Sequence, residues 1–421
     1  MDCLIFHVDV NSAFLSWEAC YRLHHLGGSL DLREIPSAIC GDVTLRHGII
    51  LAKSLPAKRY GVYTGMTVAE ARKCCPQLYM APPNYSLYQR CSEAFLDILR
   101  EYTPDVEVYS IDEAFMDMSA TIHLFGDAVE TAEVIRGRIW EELGFTVNIG
   151  VSTNKLLAKM AGELKKPNLV HTLFPEEIPV KMWPLPVEEL FFCGRATTRK
   201  LKALGIHTIG ELAASDPKLL ALHLKSQGEI VWSFANGIDC SRVVSAPPPQ
   251  KGYGNSTTIP FDVADAGTAH RVLLALSETV ATRLRKNHVR AELVSVGIKS
   301  FDLRYASHQM PLDHATDITL ELYHAACLLF DQLWDHRTPI RHLGIYTGRL
   351  REGETLRQMN LFDLTDYSRL EKLDQMVDAI RKRYGIDAIK RASFVQSRLD
   401  HMEGGISREK RTLDYSTLQI D

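Results

Sequence analysis

The order of apolar and polar positions gives the first picture of the chain. Leu4–Val10 (LIFHVDV) is a short apolar run that ends on an acid, and residues 48–54 (GIILAKS) form a second; both predict buried strands. Between Ser86 and Glu101, residues Leu87, Tyr88, Cys91, Phe95, Ile98 and Leu99 recur at helical spacing. Val106–Met118 (VEVYSIDEAFMDM) reads as two strand-like halves around Asp112-Glu113, Glu130–Leu143 as a helix, and Phe145–Val151 (FTVNIGV) as another strand. Ser152-Thr153-Asn154 supplies N-cap chemistry for a helix running to Leu164, and Pro167 ends it. Strand, helix, hairpin, helix, strand is the order of a split βαβ, ferredoxin-like layer, an antiparallel-rich sheet backed by helices.

After Pro167 the pattern changes. Residues 186–235 predict short helices broken at Gly194, Gly205, Gly210 and Gly228, and SAPPPQKG (Ser245–Gly252) marks an extended linker. Strands are then predicted at Val294–Lys299 and Ile340–Leu350, with helices at Ala266–Asn287 and Asp317–Asp335. The tail carries an amphipathic helix with Leu370, Leu373, Val377 and Ile380.

A length of 421 residues corresponds to about three domains at roughly 150 residues each. With 46% hydrophobic and 24% charged residues the composition is that of a folded protein rather than a disordered one. No apolar stretch is long enough to span a membrane, and the N-terminus lacks a basic leader, so no membrane partner is expected. Nine cysteines with no CxxC pair suggest neither a zinc site nor a disulfide framework and fit a reducing cytoplasm. The net charge is −4, and the excess is concentrated in the first 165 residues, where 21 acids face 15 bases. Bulk charge therefore gives no support to nucleic-acid binding, and any such case rests on local motifs.

Asp9, Asp112 and Glu113 stand where apolar strands end. Neighbours on a regular strand point to opposite faces, but a hairpin turn relaxes that rule and lets both members of the Asp-Glu pair approach Asp9. Three such carboxylates repel and raise one another's pKa, a cost that two Mg²⁺ ions would remove. The plain reading is a capped strand end and a polar turn, and spacing alone does not decide between the two.

HVDVNSAF (His7–Phe14) together with YSIDEAF (Tyr109–Phe115) resembles the signature pair of the Y-family, lesion-bypass DNA polymerases, bacterial members in particular. The similarity continues through LAKSLPAKRYGVYTGM (Leu51–Met66), GVSTNKLLAKMAGELKKPN (Gly150–Asn168) and LKALGIHTIGEL (Leu201–Leu212). The resemblance implies an α+β multidomain fold: a ferredoxin-like palm sheet with fingers, a helical helix-hairpin-helix thumb and an α/β little-finger domain. The palm is then expected at 1–12 and 84–165, the fingers at 13–83, the thumb at 166–240, a linker at 241–252, the little finger at 253–350 and a tail at 351–421. It makes Asp9, Asp112 and Glu113 the catalytic, metal-binding triad for two Mg²⁺ ions, with the backbone carbonyl of Val10 completing one shell. It makes Phe14 a steric gate against a 2′-hydroxyl and Lys166 a ligand of the incoming triphosphate, where composition alone would read a core aromatic and a solvated turn. Two finger positions depart from the pattern: Leu55 and Lys58 stand where many relatives carry a Tyr and an Arg. Lys58 supplies charge without a bidentate fork, and Leu55 supplies no hydrogen bond.

Phe191–Leu212 resembles a helix-hairpin-helix, whose backbone N–H groups meet a DNA phosphate beside basic side chains; the candidates are Gly194, Arg195, Arg199 and Lys200. Phe192 occupies the usual place of the hairpin's first glycine, and KSQGEIV (Lys225–Val231) is a second, looser candidate. Little-finger candidates for backbone contact are Lys251, Arg283, Arg285, Lys286, Arg290, Lys299, Arg304 and Arg341. Gln358-Met359-Asn360-Leu361-Phe362 resembles the pentapeptide that docks bacterial polymerases on the sliding clamp, with Gln358, Leu361 and Phe362 as its anchors. The resemblance thus implies a monomeric, cytoplasmic, nucleoid-associated enzyme that adds dNTPs to primer–template DNA without proofreading, in damage tolerance. The alternatives are a non-catalytic adaptor of the same family that binds DNA and clamp, and another two-metal enzyme on a similar sheet, such as a nucleotide cyclase.

Overall fold

The computed structural model describes residues 3–41, 48–353, 365–395 and 397–402. These residues form two compact units, 3–41 with 49–247, and residue 48 with the described residues of 248–402, so the break falls inside the proline run.

The first unit opens with β1 (Ile5–Val10) and α1 (Ala13–His25). A small sheet with two short helices follows: β2 (Ser37–Cys40), β3 (Ile50–Lys53), α2 (Leu55–Arg59), α3 (Val68–Cys74) and β4 (Tyr79–Ala81). The chain returns through α4 (Tyr85–Arg100), β5 (Val106–Val108), β6 (Glu113–Asp117), α5 (Ala128–Leu143), β7 (Val147–Ser152), α6 (Lys155–Glu163) and β8 (Val170–Thr172). The main sheet has the order β5-β6-β1-β7-β8 and is antiparallel except where β8 joins β7. The first four strands in that order have the arrangement expected of a split βαβ layer.

Strand alternation assigns the two faces of this sheet. Phe6, Val8 and Val10 of β1, Ala114 and Met116 of β6, and Val147, Ile149 and Val151 of β7 bury against apolar residues of α4 and α5. The intervening residues, His7 and Asp9 among them, face α6. Asn154 caps α6 by accepting from the Leu157 N–H (2.8 Å), as its side-chain chemistry predicts. The helix sits so close to β7 that a Cβ at Gly150 would lie 1.9 Å from the Ala158 carbonyl oxygen and 2.5 Å from the Gly162 nitrogen.

The helices that follow are α7 (Ile178–Lys181), α8 (Arg195–Ala203), α9 (Ile209–Ala213), α10 (Pro217–Leu224) and α11 (Ser226–Ala235). Gly205, at φ +80°, follows α8 as predicted, but Gly210 and Gly228 lie inside α9 and α11 rather than between helices. Gly228 is there for packing, since a Cβ would come 2.5 Å from the Leu220 carbonyl oxygen.

The second unit contains β9 (Gly252–Val263), α12 (Ala266–Lys286), β10 (Val289–Ser300), β11 (Tyr305–Thr316), α13 (Thr319–Leu333), β12 (Ile340–Glu352) and α14 (Tyr367–Tyr384). Its antiparallel sheet has the order β11-β10-β12-β9, and α12 and α13 cover the face that carries Val294, Val296, Leu343 and Ile345. α14 is anchored by charge rather than by its leucines. Its buried residues are Asp374 and Arg381, while Leu373 is half exposed. Arg285 of α12 meets Asp374 (3.1 Å) and Asp378 (2.6 Å), and Arg391 reaches the buried Glu278 (2.8 Å).

The α6–β7 contact generates a stability prediction. Gly150→Ala forces backbone away from backbone, and overpacking of this kind costs at least about 2–3 kcal/mol. Denaturant titration should show that loss, whereas Gly137→Ala, in open space on α5, should not.

Candidate active site

The site is built at the C-terminal end of β1. Asp9 is the cross-strand partner of Glu113 on β6 and of Asn148 on β7. Residues opposite each other in an antiparallel pair share a face, so Asp9 and Glu113 both project toward α6. Glu113 is the first residue of β6, and Asp112 precedes the strand. The Asp112 carbonyl still accepts from the Val10 N–H (3.0 Å), while its side chain accepts from the Ser110 hydroxyl. Glu113 lies on the Asp9 face as the turn reading expects, whereas Asp112 leaves the ladder with its side chain turned to Ser110.

The two facing acids have opposite electrostatics. Asp9 is buried, at 7% exposure, and its carboxyl pKa is pushed up to about 6. Burial is the main cause; the Lys166 ammonium at 2.5 Å opposes it, and the charges of Glu113 and Glu163 add to it. Glu113 goes the other way. Burial also penalises its charge, but hydrogen bonds from His7 and Lys159 outweigh that and hold it at about 2. Lys159 of α6 donates to Glu113 at 2.7 Å, and the fully buried His7 lies 3.6 Å from it with its own pKa lowered by burial. Each of the two acids is thus paired with its own lysine.

Accordingly, the three carboxylates do not gather into a tight ligand set. Among the described residues the one such group is Asp387, Asp400 and His401, and there Lys390 already lies 3.1 and 3.2 Å from the two acids. The donors at β1 and β6 nevertheless suit a hard divalent cation, being carboxylate oxygens next to main-chain carbonyls. Lys166 leaves the burial cost of Asp9 only partly offset, and further positive charge there would relieve it.

Beside Asp9 opens a cleft of about 290 Å³, lined by Lys166, Lys58 and Leu55 and also by Ser12, Lys53 and Arg33. The last three escaped the sequence reading. Lys53 alternates with the buried Ile50 and Ala52 at the end of β3, which was the available signal. Phe14, early in α1, is not among the lining residues. Its ring stacks on Tyr88 (4.5 Å, 10° between planes) and meets Tyr85 edge-on, so it is partly a core aromatic.

Gly194 is the N-cap of α8 and has no side-chain cap, and Arg195, Arg199 and Lys200 are exposed along that helix. Lys200 donates to the His223 carbonyl (3.2 Å). Phe192 takes a left-handed φ of +68°, the backbone a glycine would adopt at that point of a hairpin, and Lys225 does the same at +57° in the second candidate. Three of the little-finger cations are engaged in ion pairs: Arg285 with α14, Arg290 with Glu371, and Arg304 with Asp302. Gln358, Leu361 and Phe362 lie outside the described residues.

Comparison with known proteins accords with this arrangement. A solved chimera of Y-family DNA polymerases superposes with a TM-score of 0.71 at 21% identity, covering 83% of this chain and all of the other, so the fold is that of a Y-family polymerase. Residues 8–163 match the impB/mucB/samB family and residues 250–361 its C-terminal domain. The DNA polymerase IV of Clostridium acetobutylicum is 44% identical over 94% of this chain and 99% of its own length, and DNA polymerase IV 1 of Bacillus subtilis is 36% identical over 95% of each. The chain belongs to the impB/mucB/samB family, in the group that the DNA polymerase IV proteins form. Among the described residues no helix is long and apolar enough to cross a membrane.

The raised pKa of Asp9 makes a signed prediction. Its folded value lies above its ordinary value of 3.8, so the stability it contributes is present below that value and is lost as pH rises through about 6. Asp9→Asn should flatten this part of the stability–pH curve of the metal-free protein and raise its stability at pH 7 by about 1–3 kcal/mol. Thermal denaturation at pH 4 to 8 in the presence of a chelator measures both.

Proposed function

We infer that the chain is a DNA-directed DNA polymerase of the lesion-bypass class, which extends a primer 3′-hydroxyl with dNTPs and does not excise mismatched ends. The observation that carries this reading is the apposition of Asp9 and Glu113 across the β1–β6 ladder, with Asp112 beside them and a cation-lined cleft next to Asp9. Near-full-length similarity to DNA polymerase IV proteins supports the same reaction.

In this reading Asp9, Asp112 and Glu113, with the Val10 carbonyl, would hold two Mg²⁺ ions, which would supply a lowered pKa for the attacking hydroxyl and charge neutralisation for the phosphates. The chain's own residues do the rest. Lys166 and Lys58 would receive the phosphates of the nucleotide, Lys166 from its place beside Asp9. Phe14 excludes a 2′-hydroxyl from beneath the sugar, and its stack on Tyr88 fixes the plane of its ring. Gly194 and the N-terminal N–H groups of α8, with Arg195, Arg199 and Lys200, hold backbone phosphate without regard to sequence. Gln358, Leu361 and Phe362 dock on a sliding clamp, a reading supported by the QMNLF spacing.

The test is primer extension with Mg²⁺. Wild type should extend a primed template, and chelation, Asp112→Ala or Glu113→Ala should each remove at least about 99% of the rate, given that electrostatic terms of this kind contribute several kcal/mol. Wild type that binds primer–template but does not extend it would sink the catalytic reading and leave the adaptor. In the same assay, Phe14→Ala should admit ribonucleotides, and substitution of Leu361 and Phe362 by Ala should remove only the stimulation by added clamp.

A further inference from the structure

Four side-chain cations line the cleft beside Asp9: Arg33, Lys53, Lys58 and Lys166. Two of them are neutralised within the protein. Arg33 pairs with Asp31 at 2.8 Å, and Lys166 pairs with Asp9 at 2.5 Å and Glu163 at 2.7 Å. The other two make no ion pair among the described residues. Among the described residues Lys53 has a single long contact, to the Thr64 hydroxyl at 3.4 Å, and the Lys58 ammonium has none. Burial, and then the charge of Lys58, pull the Lys53 ammonium below its ordinary pKa, so the two like charges act on each other in the partly dry cleft.

Two facing cations without counter-charge raise the energy of the empty cleft, and a ligand of dense negative charge lowers it. Lys53 closes β3, a strand held in the small sheet by its pairing with Ala38, whereas Lys58 rides on α2 one turn beyond Leu55. Leu55, on the same wall, offers no donor to a ligand in this cleft.

We propose that Lys53 is a further phosphate ligand of the nucleotide site, gripping with Lys58 the polyphosphate tail of the incoming nucleotide from the β3 side. The inference rests on the reading of the cleft as the nucleotide site. It deepens that reading by naming a specificity residue for phosphate number: a ligand with one phosphate reaches one cation, and a triphosphate spans both.

The test is equilibrium binding of dNTP and of dNMP to the full chain on a primer–template whose primer ends in a dideoxynucleotide, so that no chemistry follows. Lys53→Met should weaken dNTP binding about tenfold, as expected for one charge-assisted hydrogen bond. It should leave dNMP binding and primer–template affinity unchanged, and Lys53→Arg should recover most of the loss. Lys53→Gln takes the place of the Met variant should that one fail to fold. Unaltered dNTP affinity in Lys53→Met, alongside a loss in Lys166→Met, overturns the role of Lys53 and leaves the nucleotide cleft standing. A loss of primer–template affinity with dNTP affinity intact also overturns it, assigning the charge to a DNA backbone phosphate. Wild type that binds primer–template but no dNTP defeats the nucleotide-site reading itself.

Discussion

Two carboxylates face each other across one rung of a β-ladder, and the rest of the site is arranged around the cost of that pair. Asp9 and Glu113 are neighbours by strand register, so no side-chain rotation fully relieves their repulsion. Relief comes from α6 and the residues after it, which bring Lys159 to Glu113 and Lys166 to Asp9. It is unequal: Glu113 is held firmly ionised, while Asp9 is left close to neutral pH. One acid is thus a fixed charge and the other a responsive one, and strongly perturbed acids of this kind cluster at functional sites.

The palm layer was legible because β1 and β7 are buried on both faces and α4 and α5 on one. LIFHVDV and FTVNIGV read as apolar runs, and Ser86–Glu101 as a helical stripe. The acids were legible as interruptions of those runs. What escaped had a different physics. α1 is buried nearly all round, so it shows no stripe. β11 is an edge strand with most of its residues exposed (YASHQMPLDHAT), so it has neither an apolar run nor clean alternation. α14 announced itself through leucines but is seated by Asp374 and Arg381, and a buried ionic anchor leaves no hydrophobic trace. In the site, the place of Lys166 at the cleft agrees with its resemblance to a motif. The neighbourhood of Lys53 depends on how two strands and a short helix fold together, and spacing carries no record of that.

The hairpins of the first unit show the same limit from another side. Phe192 breaks the residue pattern of the motif yet takes the positive φ that a glycine would supply, and Lys225 of the looser candidate also has a positive φ. Phe192 packs against Phe191 and Phe234, and Gln227 donates to its carbonyl at 3.1 Å, so tertiary contacts impose a geometry that glycine would have adopted unaided. A residue pattern weighs the side chain, whereas the direction of a hairpin's N–H groups depends on the main chain.

The closeness of α6 to β7 bears on how such a protein can diverge. The helix rests on the sheet through main-chain atoms at Gly150 and Gly162, with no side chain between them to trim or enlarge. Mutation therefore has almost no means of retuning the depth from which Lys159 and Lys166 approach the acids. The opposite wall of the cleft, with Leu55 and Lys58 on an exposed helix of five residues, carries no such restraint. Variation in substrate handling between relatives should collect on that wall, while the acid-bearing wall stays nearly invariant in shape.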